Sequence, residues 1–477
     1  MRAHLTAAAV LLLGGCAHEA PRAPVPELAR AIDGDADPDA VEVHLAAGPS
    51  ELEIVPGART RALSYRDLDA AGARTAAGAT LPGPLIEVEV GQTLTVWLRN
   101  DLPELGTTLH FHGMRTPDRL DGNPLVSGTV DPGETVLHRF VVQDPGLYWF
   151  HPHLFADEHV ELGLQGVIVV RAPEEPRDVR ERILVLDDVD LRDDGSIAIE
   201  ADHEDHLLGR SGSTLLVNGR PPGSLRAIAG AVERWRIVNT ANGRHFTLAR
   251  SDGGSFEVIA WDGPPLAERY RAAVLPLAPG ERLDLLVPIG DAPFEVLTIE
   301  SERGEGLGEW ERAVLLSVEP EPGDAGPRVD ARAFAAPVER LAVDDDTAVR
   351  RIELEVQVDE HGAEQMTING AVWPFGPALE ARHGDVEVWQ IANQSGLRHP
   401  FHLHGTFFQV LSRGDRAEQP LGWRDTMAID ARETVRIAVR YDALGRWMYH
   451  CQIPEHAHMG MMGDLIVTPR STLEATR

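Results

Sequence analysis

Short runs in which apolar and polar residues alternate recur along the chain and predict β-strands. The clearest of these runs cover residues 85–90, 93–98, 233–238 and 351–356. Because residues two apart lie on the same face of a strand, each run can bury one face and leave the other polar. Turn-forming triplets with Pro and Gly separate the runs, and helical periodicity is scarce. We therefore predict an all-β protein built from sandwiches or barrels.

A ten-residue motif occurs three times and predicts a repeat of whole domains. Residues 91–100, 230–239 and 384–393 each begin with Gly, alternate apolar residues around a Trp, and end with Asn. The copies are about 140 and 154 residues apart, which is the scale of domains rather than of a solenoid. Stretches rich in Pro and acidic residues lie near 172–180 and 319–338. We predict three consecutive sandwich domains over 41–172, 173–325 and 326–477.

The first residues are typical of a bacterial export signal. Arg2 precedes an apolar stretch that is too short to span a bilayer, and Leu13-Gly14-Gly15-Cys16 resembles the lipobox of lipoproteins. We predict a lipoprotein-type signal over 1–16, a lipid on Cys16 and a flexible tether over 17–40. Secretion with cleavage elsewhere is the alternative. Export to the periplasm or outer cell envelope is expected, with the lipid as the sole membrane attachment.

Charge and cysteine content narrow the possible functions. Acidic residues number 75 against 44 basic ones, which gives a net charge of -31. This field disfavours nucleic acid as a partner and favours cations, although an acidic surface also serves solubility. The chain has two cysteines, so lipidation of Cys16 would leave Cys451 without a disulfide partner. An unpaired thiol in an oxidising compartment suggests a chemical use for Cys451.

Nine of the twenty histidines fall in four compact groups. They are His110 and His112; His151 and His153; His399, His402 and His404; and His450 with His456, on either side of Cys451. In a strand, the two imidazoles of each His-x-His pair point to one side, as a centre with several metal ions requires. Imidazole is a common ligand of copper, zinc, iron and nickel. The first two groups lie in the first predicted domain and the others in the third.

The residues around Cys451 indicate a second kind of metal site. The Cys451 sulfur points to the opposite face of the strand from His450 and Gln452. His456 and Met461 follow Cys451, and His399 adds a second imidazole. Two imidazoles, a thiolate and a thioether form the ligand set of a blue-copper electron-transfer site. A structural zinc site more often has a second cysteine.

With these motifs, the sequence from about Val41 to Pro469 resembles the three-domain multicopper oxidases, a family that includes laccases, bacterial cuprous oxidases and spore-coat oxidases. The resemblance implies three cupredoxin-like Greek-key domains and about four copper ions per chain. It implies that His399, Cys451, His456 and Met461 bind the type 1 copper and that His110 and His402 bind the type 2 copper. It further assigns His112, His151 and His450 to one type 3 copper, and His153 and His404 to the other.

The resemblance also implies a reaction. A phenol, an aromatic amine or a low-valent metal ion would give single electrons to the type 1 copper, at the exposed edge of His456. Cys451 and His450 would link that site to the cluster, where dioxygen is reduced to water. Asp121 matches an acid that serves proton transfer in the family, although an Asp-Gly turn is an equal alternative. We expect a monomer, and we interpret Glu455, Arg398 and the acidic loop over 200–206 as ordinary surface charge.

Gln452 departs from the family pattern, which has His-Cys-His where this chain has His-Cys-Gln. By strand geometry Gln452 still faces the cluster, but its amide oxygen is a weak ligand beside imidazole. Three outcomes remain open: a type 3 copper with two histidines, a copper with an amide ligand, or partial occupancy. The second type 3 copper is therefore in doubt. The alternative function is a copper-binding or electron-transfer protein whose cluster is impaired by Gln452.

Overall fold

The computed structural model describes residues 22–470, except residues 70, 74, 76, 77, 327, 328, 360 and 419. The predicted signal and the lipid on Cys16 lie outside these residues. The described chain is almost entirely β-structure, which confirms the predicted fold class. None of its helices is long and apolar enough to cross a membrane.

The first domain is a sandwich of two four-stranded sheets. Its strands are β1 (Ala40–Leu52), β2 (Thr60–Leu68), β3 (Ile86–Glu89), β4 (Thr93–Asn100), β5 (His110–His112), β6 (Thr135–Val141), β7 (Gly146–His151) and β8 (Gly166–Arg171). One sheet has the order β2-β1-β4-β6 and the other β3-β8-β7-β5. Two short helices, α1 (Pro124–Ser127) and α2 (Ala156–His159), and a 3-10 turn (Asp118–Leu120) occupy the loops. Both predicted histidine groups of this domain lie on or just after β5 and β7.

The second domain packs a six-stranded sheet against a five-stranded one. Its strands are β9 (Glu181–Val189), β10 (Thr214–Val217), β11 (Gly223–Ile228), β12 (Val232–Asn239), β13 (Phe246–Arg250), β14 (Phe256–Trp261), β15 (Pro265–Ala272), β16 (Val274–Leu277), β17 (Arg282–Pro288), β18 (Phe294–Thr298), β19 (Ser301–Glu302), β20 (Glu309–Trp310) and β21 (Ala313–Glu321). The orders are β10-β9-β12-β17-β14-β15 and β11-β21-β18-β13-β16, with β19 and β20 as a separate pair. Helix α3 (His203–Leu208) precedes β10.

The third domain repeats the six-plus-five arrangement. Its strands are β22 (Val349–Val358), β23 (Glu364–Ile368), β24 (Leu379–Arg382), β25 (Val386–Asn393), β26 (His399–Leu403), β27 (Phe408–Arg413), β28 (Arg416–Ala417), β29 (Thr426–Ile429), β30 (Thr434–Arg440), β31 (Gly445–Cys451) and β32 (Met462–Thr468). The orders are β23-β22-β25-β30-β27-β28 and β24-β32-β31-β26-β29. Helix α4 (Pro454–His458) follows β31, and a 3-10 turn (Ala331–Phe334) lies before β22.

The ten-residue motif forms the same structure in each domain. It contains β4, β12 and β25, each of which pairs in parallel with the first strand of its domain and antiparallel with a later one. The opening Gly of each copy has a positive φ of 80–95°, a conformation that favours glycine. The closing Asn is buried, and its amide donates to a backbone carbonyl four or five residues later, in the loop that follows. The sequence repeat thus marks a repeated turn, strand and loop anchor.

Part of the segment that we predicted to be a flexible tether is bound to the folded domains. The Val25 amide donates to the Ser224 carbonyl of the second domain. The Ala31 amide donates to the Leu85 carbonyl, and the Leu85 amide donates to the Ala29 carbonyl. These bonds add short bridges to two sheets. The described residues 22–31 are therefore held by β-type hydrogen bonds, which the composition of the segment did not predict.

Candidate metal centres

Strand pairing brings the histidines of each domain together. In the first domain β5 and β7 pair with His110 opposite His151. In the third, β26 and β31 pair with His402 opposite His450. Residues opposite each other in antiparallel strands have side chains on the same face. Each domain therefore presents a compact patch of imidazoles on one face of one sheet.

The two patches meet across the interface between the first and third domains. The ring of His110 stacks on that of His404 with 4.0 Å between centroids, and the ring of His112 stacks on that of His402 at 3.8 Å. All four residues are buried. Seven imidazoles thus line one shared pocket: those of His110, His112, His151, His153, His402, His404 and His450.

The geometry places these imidazoles in three overlapping groups of three, which differ from the predicted groups. One group is His110, His112 and His151, a second is His110, His402 and His404, and a third is His153, His404 and His450. The resemblance assigned His450 to the group of His112 and His151. Instead, its Nε2 lies 2.9 Å from Nε2 of His404, and its ring centroid lies 5.1 Å from that of His153. In this structure, His450 completes the group of His153 and His404.

The hydrogen bonds of the cluster leave one nitrogen of most imidazoles free. Nδ1–H of His110 donates to the Asp121 carbonyl, and Nδ1–H of His402 donates to the Asp425 carbonyl. The buried nitrogens without a hydrogen-bond partner are Nε2 of His110, His151, His153 and His402, and Nδ1 of His112. A ring that donates from one nitrogen and keeps the other unpaired is oriented as a metal ligand. This donor set fits copper.

The protonation state of the cluster also fits metal binding. Burial lowers the pKa of His112, His151, His153, His402 and His404 well below the usual value, and neighbouring imidazoles lower it further. Burial lowers the pKa of His450 to about 4. These rings are therefore neutral near pH 7, as a ligating imidazole must be.

Asp121 is a buried neighbour of the cluster. Its Oδ2 accepts a 2.5 Å hydrogen bond from Nδ1 of His404, and its Oδ1 accepts one of 3.3 Å from Thr116. Its carbonyl accepts from His110, so the residue orients two imidazoles. Burial raises the pKa of its carboxyl group above the usual value, although His110 opposes this. The Asp-Gly turn and the contact with the cluster are both present.

Gln452 faces the cluster, as strand geometry predicted. It is buried, and its Oε1 has no hydrogen-bond partner. A Cβ on Gly280 would lie 2.6 Å from Cγ of Gln452 and 3.1 Å from Cε1 of His112, so both side chains pack against the backbone of Gly280. Gln452 also lines a cavity of about 270 Å³, together with His151, His153 and His450. The Gln452 side chain therefore lies close to His112.

The sulfur of Cys451 forms the second centre. Cys451 Sγ lies 3.4 Å from Nδ1 of His456 and 3.7 Å from Nδ1 of His399, and the two Nδ1 atoms are 3.1 Å apart. Nε2–H of His399 donates to Ser395 Oγ at 2.8 Å, which leaves its Nδ1 directed at the sulfur. Met461 is fully buried, and its backbone bonds to Cys451 and His456.

The Cys451 thiol of this centre needs a nearby cation in order to ionise. Burial raises the pKa of the Cys451 thiol above its usual value and lowers the pKa of His456 to about 4. Two neutral imidazoles and a buried thiol that ionises only beside a cation suit a soft redox metal.

His456 is covered, contrary to the expectation of an exposed edge. It is fully buried, and its Nε2–H donates to the carbonyl of Leu207 at 2.8 Å. Leu207 belongs to helix α3 of the second domain, which packs against α4. The loop that we interpreted as ordinary acidic surface therefore places a helix over His456, a predicted ligand. No sequence pattern relates α3 to His456, because the two are about 250 residues apart.

Sequence reasoning missed a set of residues that support the cluster from behind. Nε2–H of His112 donates to Oγ1 of Thr426, and the Thr426 hydroxyl donates to Asp425. Arg282 of the second domain is fully buried and donates to both carboxylate oxygens of Asp425, at 2.7 and 2.5 Å. Buried charges are stable only when paired in this way. A motif search cannot find such residues, because no local sequence pattern relates Arg282, Asp425 and Thr426 to the histidines.

Glu455 was also misinterpreted as surface charge. It is 1% exposed. Its Oε1 accepts 2.8 Å hydrogen bonds from Arg210 and Asn242, both in the second domain. Burial raises the pKa of its carboxyl group to about 7, although Arg210 opposes this. Arg398 does lie near the surface, where it bonds to Asp430.

Comparisons with family models and known proteins all point to the same family. Two family models described as multicopper oxidase match residues 66–175 and 349–471. The chain is 28% identical to multicopper oxidase mco of Staphylococcus aureus over 81% of this chain and 82% of that protein. It is 26% identical to a laccase of Bacillus subtilis, over 81% of this chain and 88% of that protein.

Solved structures agree. The structure superposes on a multicopper oxidase from Campylobacter jejuni, described as a metallo-oxidase, with a TM-score of 0.81 and 25% identity. The match covers 94% of this chain and 96% of that one. The McoA 2F4 variant, a multicopper oxidase from Aquifex aeolicus, gives a TM-score of 0.79 and 27% identity. That match covers 94% of this chain and 99% of that one. With the histidine and cysteine centres described above, these matches establish that the chain belongs to the multicopper oxidase family and is a copper-dependent oxidoreductase.

Proposed function

We propose that this protein oxidises a one-electron reductant at the Cys451 centre and reduces dioxygen to water at the histidine cluster. The observation that carries the proposal is the shared pocket of seven imidazoles directly behind the strand of Cys451. Bound copper would supply one-electron transfer at the first centre and multi-electron reduction of dioxygen at the second. The protein supplies the ligands, their orientation and the connection between the two centres.

The proposed ligands follow the contacts of the structure. His399, Cys451, His456 and Met461 would hold the type 1 copper, and His110 and His402 the type 2 copper. His153, His404 and His450 would hold one type 3 copper. His112 and His151 would hold the other, with the Gln452 side chain close to His112. This regrouping gives one type 3 position three imidazoles and confines the effect of Gln452 to the other.

Cys451 and His450 would conduct electrons between the centres. They are adjacent in β31, with Cys451 directed to one side and His450 to the other. Nδ1–H of His450 donates to the Cys451 carbonyl at 2.8 Å, which adds a hydrogen bond to the covalent path. Since His450 belongs to the group with three imidazoles, this path ends on the well-ligated position.

Asp121 would serve proton transfer at the cluster. Its carboxylate is buried against His404, where bulk water has no direct access. A carboxyl group with a raised pKa can hold a proton close to the reacting oxygen and release it there. The hydrogen bond to His404 would also keep that imidazole in one orientation.

We propose that the reductant is a small species, a low-valent metal ion in preference to a bulky phenol. Helix α3 covers His456, so a large ring cannot touch the imidazole edge. The net charge of -31 attracts cations to the surface. The description of the Campylobacter jejuni relative as a metallo-oxidase supports this choice. The Bacillus subtilis relative is named a laccase, so a phenol is the alternative reductant to test.

Oxygen consumption by the copper-loaded protein tests the proposal. Cuprous ion, ferrous ion and a bulky phenol are supplied separately, with copper per chain measured in parallel. We expect about four copper ions per chain and oxygen uptake with a metal ion at least ~10-fold faster than with the phenol. A blue protein with about one copper and no oxygen uptake would instead support the electron-transfer alternative.

We further propose that the protein is exported, carries a lipid on Cys16 and acts as a monomer. The lipobox-like residues before Cys16 support the anchor. Mass spectrometry of the mature N-terminus tests it, because replacement of Cys16 by Ser would abolish the lipid adduct. An unmodified N-terminus at another position in the unaltered protein would contradict the anchor.

A further inference from the structure

Three domains meet at one hydrogen-bonded cluster beside the type 1 centre. Arg210 and Asn242 of the second domain donate to the same two acceptors. One acceptor is Oε1 of Glu455, at 2.8 Å from both donors, and the other is the carbonyl of Asp157 in α2 of the first domain, at 2.7 and 2.9 Å. We call Arg210, Asn242, Asp157 and Glu455 the three-domain clamp.

The clamp acts directly on the loop of the type 1 ligands. Glu455 lies in α4, next to His456 and four residues after Cys451. The carbonyl of Glu455 accepts from the Met459 amide, and Met461 bonds back to His456. Fixing the Glu455 side chain therefore fixes the turn that carries His456 and Met461. Rigid placement of both ligands limits rearrangement when a metal changes oxidation state.

The clamp also places a balanced pair of charges near the sulfur. Glu455 is 1% and Arg210 5% exposed, so neither charge is screened by water. The carboxylate belongs to the residue next to His456, whose Nδ1 lies 3.4 Å from the Cys451 sulfur. Asp157 and His458 form a second pair at 3.3 Å on the outer side. A buried negative charge stabilises the higher oxidation state of a nearby metal, and a buried positive charge does the opposite.

We propose that Glu455, held by Arg210 and Asn242, is a positioning residue that sets the reduction potential of the type 1 copper. The inference rests on the proposed type 1 site. The carboxylate lowers the potential, Arg210 raises it, and the two effects partly cancel. The second domain therefore tunes the driving force for electron transfer, although it supplies none of the proposed ligands.

A charge cycle tests the inference, with the potential measured by redox titration of the blue absorption band at one mildly alkaline pH. E455Q removes the negative charge with almost no change in shape, and we expect a more positive potential. R210M removes the positive charge, and the buried Glu455 carboxyl group, left without its cation, takes up a proton, so we expect a potential close to that of the unaltered protein. The double variant E455Q/R210M removes both charges and should return close to the original potential. R210K keeps the charge and is the matched control.

The outcomes separate the inference from the function on which it rests. A positive shift in E455Q that disappears when Arg210 is also replaced supports the charge effect, because a second substitution would not repair a purely structural defect. A blue band with the same potential in E455Q as in the unaltered protein would overturn it. If E455Q binds no copper, E455A is measured in its place, with the same expected positive shift. Absence of the blue band from the unaltered, copper-loaded protein would contradict the proposed function itself.

Discussion

The imidazole rings of His112 and His402 stack with 3.8 Å between their centroids, although one belongs to the first domain and the other to the third. The pocket between them exists only when both domains are docked. Each domain alone holds half of the cluster, so the proposed oxygen chemistry is a property of the interface. Changes at ligands and changes at the residues that fix the interface should therefore have distinct signatures.

Replacement of Cys451 by Ser should abolish the blue absorption band and lower copper content by about one ion per chain, because the thiolate is the strongest proposed ligand of the type 1 site. Absorption spectroscopy and metal analysis check both effects. The cluster histidines are untouched, so its copper should remain. A blue band in C451S would contradict the assignment of the sulfur.

Replacement of Gln452 by His should strengthen copper binding at the position of His112 and His151. A third imidazole replaces a weak amide ligand, and we expect copper retention against a chelator to improve by about 10-fold or more. Q452A is the matched control and should not improve it. Equal copper loss from Q452H and Q452A would show that this side chain does not reach the metal.

Replacement of Asp121 by Asn should slow oxygen consumption by about 10- to 100-fold, because the amide cannot carry the proton that the carboxyl group holds. The rate of oxygen uptake at saturating reductant is the measurement. D131N alters an exposed turn in the same domain and serves as control. If D121N and D131N have the same rate, Asp121 has only the role of a turn residue.

Replacement of Arg282 by Met should destabilise the protein by about 3–5 kcal/mol, because it leaves the buried Asp425 carboxylate without its partner. Urea unfolding measures the loss. The exposed pair of Arg59 and Glu51 provides the comparison, and R59M should cost less than about 1 kcal/mol. Similar losses from both variants would argue against the special position of Arg282.

The stability of the apoprotein should depend on His138 in acid. Burial lowers the pKa of this residue from 6.5 to about 4 in the folded state. Below pH 6.5 the unfolded chain therefore binds a proton that the folded chain does not, so stability falls as the pH drops from 6.5 to about 4. The full effect is about 3 kcal/mol. Urea unfolding of H138F across this range should show a correspondingly weaker pH dependence, and an unchanged slope would contradict it.

Periodicity and motifs predicted the fold class and the residues that converge in the pocket. Alternation located strands such as β4, β12 and β25, because strand geometry links residues two apart. The His-x-His pairs indicated shared faces for the same reason. Which imidazoles group together was not predictable in this way. Both His450 and Gln452 face the cluster, and only the docking of the domains brings His153 to His404 and His450.

The supporting residues were beyond sequence reasoning for a different reason. Glu455 was interpreted as surface charge from its residue type alone, yet it is buried by donors more than 200 residues away. The cover over His456 likewise comes from a distant helix. Long-range contacts of this kind leave no local pattern in a single sequence. The ligand assignments and the domain limits given above stay predictions.

The second domain supports both proposed centres. Arg282 bonds to Asp425 beside the cluster, and Arg210 bonds to Glu455 in the helix after Cys451. The folding of this domain and the occupancy of both centres are therefore thermodynamically linked. A ligand that binds only the folded state raises the free energy of unfolding of every element that must stay folded for binding. Copper should consequently protect the amides of domain 2 against hydrogen exchange, although this domain provides no proposed ligand.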